Sequence, residues 1–73
     1  MKIRVKSITY AMKAKELAQQ NGVTAVVVKD LRPSGSGCVY AISFPDEYRE
    51  MVATLMRKNG IMLHPSEKWE NLL

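Results

Sequence analysis

Cys38 is the single cysteine of this 73-residue chain, and it stands directly after Pro33-Ser34-Gly35-Ser36-Gly37. A segment of that composition forms a loop or a hairpin turn, which argues for exposure of a thiol at its edge. The chemistry of one such thiol is nucleophilic. As a thiolate it attacks electrophilic centres. Thiolates are favoured by a helix N-terminus, by converging backbone amides and by nearby cations. The candidates here are the helix start around Ile8 to Tyr10, the amides of Gly35, Ser36 and Gly37, and the side chains of Lys6, Arg32, Arg57 and Lys58. The competing role for Cys38 is a small buried hydrophobe at a strand start, and exposure of the thiol separates the two. The Ser-Gly-Ser-Gly run is a weak motif alone, because it joins hairpin strands whether or not it binds anything.

Other chemistries lack their residues. His64 is the only histidine, and it falls at the end of the last strand signal, away from Cys38, so no nucleophile–base pair is expected. The chain has no carboxylate pair set for acid–base work, no P-loop, no Cys-x-x-Cys and no Cys/His cluster for zinc. A classical enzyme is therefore not expected, and neither is a cofactor or a metal. One cysteine cannot form an internal disulfide. Met1 to Lys6 alternates charge with aliphatics rather than forming an apolar signal segment, and nothing later reaches membrane-spanning length. The expectation is a cytoplasmic protein with a reduced thiol and no membrane partner.

The elements that position these residues are read from periodicity. Lys2 to Lys6 alternates as a half-buried strand, with Ile3 and Val5 on one face. From Ser7 or Thr9, both N-cap residues, a helical stripe runs through Tyr10, Ala14, Leu17 and Ala18 and stops at Asn21-Gly22. Val23 to Val28 is a second strand and Cys38 to Phe44 a third. Pro45, Asp46 and Glu47 suit the first turn of a second helix, whose stripe is Tyr48, Met51, Val52, Leu55 and Met56. That helix stops at Asn59-Gly60, and Ile61-Met62-Leu63 begins a last short strand.

The two stops, Asn21-Gly22-Val23 and Asn59-Gly60-Ile61, fall at equivalent places in two β-α-β halves. The expected fold class is α+β: a ferredoxin-like β-α-β-β-α-β sandwich with an antiparallel sheet, two helices on one face and a short C-terminal tail. Residues 1–63 form the domain. Residues 64–73 form the tail, a candidate short helix through Trp69, Leu72 and Leu73, set to cover the open face or dock on a second subunit. In this topology the start of the third strand lies beside the end of the first, so Cys38 shares a rim with Lys6, Arg32, Arg57 and Lys58.

The net charge is +4, and residues 1–36 hold seven Lys/Arg against two acids while residues 37–73 hold four against five. Such a bias fits nucleic acid, an acidic protein or a small anion, or simply a solvated lysine-rich strand. The strand order is also that of an RNA recognition motif, which stacks bases on aromatic residues of its open face. Here that face would carry Val39, Ala41 and Ser43 beside Lys2, Arg4 and Lys6, so the rings are missing and nucleic acid is not the expected partner. A chain this short yields roughly 3–5 kcal/mol of stability from its core, which makes a homodimer or a tail-covered monomer a second expectation.

From Ser7 to Ile61 the chain resembles the selenium/sulfur carrier protein-like family of small bacterial proteins. The resemblance rests on Ala11-Met12-Lys13-Ala14-Lys15-Glu16-Leu17 followed by Asn21-Gly22-Val23, on Leu31-Arg32-Pro33 and Ser34-Gly35-Ser36-Gly37-Cys38, and on Tyr40-Ala41-Ile42-Ser43-Phe44 with a second helix ending at Gly60. It implies carriage of sulfur or selenium on Cys38, with a donor enzyme and an acceptor protein as partners. The alternative is a non-enzymatic module that binds protein or RNA through an open basic sheet face, with Cys38 structural.

Overall fold

The computed structural model describes residues 1–31 and 38–72. Alternation in Lys2-Ile3-Arg4-Val5 produces strand β1 (Lys2–Val5), with Ile3 and Val5 buried. Ser7 is extended, its backbone carbonyl accepts from the Ala11 amide at 3.1 Å and its side chain from the Tyr10 amide at 3.5 Å, and so it starts helix α1 (Ile8–Gln20). The helix buries Ala11, Ala14 and Ala18.

Both helix stops are built alike. The Val23 amide donates to the Ala18 carbonyl at 2.9 Å and the Gly22 amide to Gln19 at 3.1 Å; after helix α2 (Arg49–Lys58), Ile61 donates to Met56 at 3.0 Å and Gly60 to Arg57 at 3.3 Å. This pairing of bonds needs a left-handed residue after the cap, and Gly22 and Gly60 supply it with φ of 79° and 70°. Asn21 and Asn59 each add a side-chain bond to the carbonyl four residues back, at 2.9 and 2.8 Å. The aliphatic that follows each glycine is buried. The repeated Asn-Gly-aliphatic pattern is thus the same device used twice: it ends the helix and returns the chain to the core.

Strands β2 (Val26–Leu31) and β3 (Cys38–Ser43) complete a three-stranded antiparallel sheet in the order β1-β3-β2. Ile42 lies opposite Ile3 on one side and Val27 on the other. The second strand begins later than the Val23–Val28 run suggests, because the Val23 amide is spent on the α1 cap and Val23 and Ala25 plug the core before pairing starts.

Ile3, Val5, Ile42 and Phe44 form the sheet side of one core, covered by the alanines of α1 and by Val52, Ala53 and Met56 of α2. Both helices therefore lie on one face. A 3-10 turn, Asp46–Tyr48, precedes α2 in place of the helical turn expected there. Met51, expected in the buried stripe, is 42% exposed, and the small Ala53 faces inward instead.

The expected fourth strand is not formed as a strand. Met62 accepts from the Lys6 amide at 2.9 Å, Leu63 bridges Val5, and His64 donates to the Arg4 carbonyl at 3.1 Å. Pairing stops there because the Ser66 amide donates to His64 Nδ1 at 3.1 Å and the Glu67 amide turns back to the His64 carbonyl at 2.8 Å. Among the described residues the fold is α+β with three strands and two helices, and the full ferredoxin-like order is not reached. The tail then makes a 3-10 turn, Trp69–Asn71, and buries Leu72 in the main core.

At the end of β3 the Met1 ammonium donates to the Phe44 carbonyl and pairs with the Asp46 carboxylate, both at 2.6 Å. The hydrogen bond and charge of that ammonium, with a smaller contribution from Arg49, hold the Asp46 carboxyl below its usual value of 3.8.

Two expectations follow. Leu72→Ala should destabilise the chain by about 2–3 kcal/mol, whereas truncation of exposed Met51 to alanine should stay within about 0.5 kcal/mol; urea unfolding of both variants measures the contrast. Because the folded pKa of Asp46 is depressed, its stabilisation is present above about pH 5 and is lost as pH falls through the folded value. The stability difference between the parent and Asp46→Asn should therefore shrink on acidification, and a difference constant down to the acid transition would show that the ammonium pair is not felt.

Candidate functional site

The rim that gathers the candidate residues is set by strand direction. Since β1 and β3 are antiparallel and Val5 lies opposite Tyr40, the backbone of Cys38 stands two residues further along, at the level where β1 gives way to Lys6 and the Ser7 cap. On its other side Cys38 pairs with Leu31, the last residue of β2. Arg32, Gly35, Ser36 and Gly37 lie outside the described residues.

Lys6 is exposed, and its amide bond to Met62 ties it to the segment that leaves α2. Arg57 and Lys58 form the last turn of α2 and are also exposed, so the C-terminal end of α2 shares this rim with the N-terminal end of α1. Helix ends of opposite polarity therefore meet here. The α1 start contributes partial positive charge, whereas Arg57 and Lys58 are in part matched to the carbonyls that close α2. Among the described cations expected at the rim, Lys6 is the one not set against a helix C-terminus.

His64 is held in the turn after Leu63, where its Nδ1 lies 2.8 Å from Ser66 Oγ. Its role is to end the edge pairing, as the bonds of that turn show. Among the described residues, no three or more His, Cys, Asp and Glu side chains gather to hold a metal ion, and no helix is long and apolar enough to cross a membrane. On the sheet face away from the helices, Lys2, Arg4, Val39, Ala41, Ser43, Val26 and Val28 carry no ring.

Sequence reasoning missed a second feature of the same rim. The tail folds over the segment that follows α2, and Arg57, Met62, Leu63, Glu67, Lys68 and Trp69 line a cavity of about 400 Å³. Glu67 is paired with Arg4 at 3.6 Å. The available signal was Trp69 at helical spacing from Leu72 and Leu73, which indicated a docking tail but not its site.

The chain is thus a small α+β domain with the backbone of its one cysteine at a sheet end, level with a capped helix start. The family model described as putative Se/S carrier protein-like matches residues 3–64, and the chain belongs to that family. No curated protein and no solved structure matches it.

Proposed function

We propose that this protein carries sulfur or selenium on Cys38 between a donor enzyme and an acceptor protein. The observation that carries the reading is the span of the family match, residues 3–64, which includes the chain's only thiol. Any chalcogen carried covalently by a cysteine of this chain must be on Cys38.

The transfer is a thiol–persulfide exchange. The Cys38 thiolate attacks the terminal sulfur of a donor cysteine persulfide, the donor's S–S bond breaks, and the donor cysteine leaves as a thiolate. Cys38 now bears the persulfide, and no external oxidant or reductant is consumed. An acceptor nucleophile then attacks the terminal sulfur and releases the Cys38 thiolate; selenium in the terminal position follows the same balance. In this reading the amides of Gly35, Ser36 and Gly37 and the charges of Lys6, Arg32, Arg57 and Lys58 favour the anion, and the turn carries the sulfur into a partner's site. With no second thiol to resolve it, the persulfide persists until an external acceptor arrives.

The rate of Cys38 alkylation in the native protein should titrate below the free-thiol value of about 8.5, and a midpoint at or above that value would remove the electrostatic support. Incubation of the reduced protein with a cysteine desulfurase and cysteine should add one sulfur atom by intact mass, reversibly by reductant and not in Cys38→Ser. Transfer no faster than to an unrelated protein with one exposed cysteine, at equal donor concentration, would sink the carrier reading.

A further inference from the structure

The cavity at the end of α2 is formed jointly by the rim and the tail. It is lined by the Met62–Leu63 segment, which pairs with β1, by Arg57 of α2 and by Glu67, Lys68 and Trp69 of the tail. Three of these residues lie beyond residues 3–64, the span that the family model matches. The family match therefore assigns no role to the tail residues of this cavity.

Its chemistry is mixed. Met62 is 47% exposed and Trp69 is half-buried, so the cavity offers an apolar surface with an aromatic side. Glu67, its one acid, is engaged by Arg4, so the field at the mouth is that of exposed Arg57 and Lys68. A volume of about 400 Å³ takes one large side chain with some flanking backbone, at the small end of ligand sites. An apolar slot lined by two exposed cations is complementary to an apolar side chain flanked by carboxylates.

Position gives the slot a use. Met62 bonds to Lys6 across the edge of β1, and Cys38 starts the strand on the other side of β1. Two strand spacings, about 10 Å, separate them. We infer that this slot docks a protein partner through an acidic segment bearing one large apolar side chain, and that docking brings the partner's sulfur site to Cys38. The second half rests on the carrier reading above. The first half does not.

Trp69 is the only tryptophan, so its emission reports occupancy directly. The probe is a synthetic peptide, Asp-Glu-Phe-Glu-Asp with blocked ends and a fluorescein tag, with a Lys-Lys-Phe-Lys-Lys peptide as counterpart. The full chain should bind the acidic peptide saturably by anisotropy, with a matching change in Trp69 emission, and should not bind the basic one. Lys68→Glu with Met62→Glu should weaken binding at least tenfold, and Cys38→Ser should bind like the parent. Lys68→Glu alone serves if the double variant unfolds. Absence of saturable binding, equal binding of both peptides, or equal binding by the charge-reversed variant would overturn the docking slot.

The link to sulfur transfer is read separately. The charge-reversed variant should accept sulfur from a low-molecular-weight polysulfide at the parental rate but from the protein donor at least several-fold more slowly. If Cys38 accepts sulfur from neither source while the peptide still binds, the carrier reading fails and the slot stands. If peptide binding is lost but protein-to-protein transfer is unchanged, the slot fails and the carrier stands.

Discussion

The register of β3 is the constraint on which the remaining geometry depends. This strand pairs on both sides, and Ile42 is fixed between Ile3 and Val27. A slip of one residue would turn Ile42 and Phe44 away from the helices and bring Ala41 and Ser43 inward, exchanging large apolar side chains for small ones in a core that has few large residues. Cys38 begins the same strand. Its level relative to Lys6 and Ser7 is therefore set by apolar burial four and six residues away, and the rim inherits the precision of the core.

The helices depend on that sheet in turn. The buried face of α1 is made of alanines, which allow its backbone close to the sheet and to α2 but bury little area each. Such a helix is held by its ends as much as by its face. Ser7 starts it at the rim, and the Asn21-Gly22-Val23 stop closes it with Val23 in the core. The same stop at Asn59-Gly60-Ile61 brings α2 back to the rim and delivers Met62 to the edge of β1. A device that ends helices thus also sets where the end of α2 meets the edge of β1.

The tail has a different standing. Leu72 enters the main core and Trp69 packs against it, so residues outside the family match contribute to the stability of the matched region. For a chain this short, added burial of that kind substitutes for the staples that small domains otherwise need. It also lines part of the cavity, which couples the integrity of the slot to that of the core.

Local features of the structure were determined by the sequence: the two helices and their stops, the three strands, the inward set Ile3, Val5, Ile42 and Phe44, and the restriction of thiol chemistry to Cys38. Each depends on periodicity, capping or composition within a few residues, where neighbours along the chain are also neighbours in space. Tertiary structure decided the rest. The last strand signal was cut to one bridge because the amide of Ser66 found His64 before it could find β1. Met51 was left outside because α2 turned Ala53 toward the core, a choice between helix faces that depends on what α2 packs against. The pairs Arg4–Glu67 and Met1–Asp46 and the site where Leu72 docks join residues far apart in sequence, and no local pattern encodes which distant group will be within reach. The cavity at the rim belongs to this second kind, since it exists only where the end of α2, the edge of β1 and the tail come together.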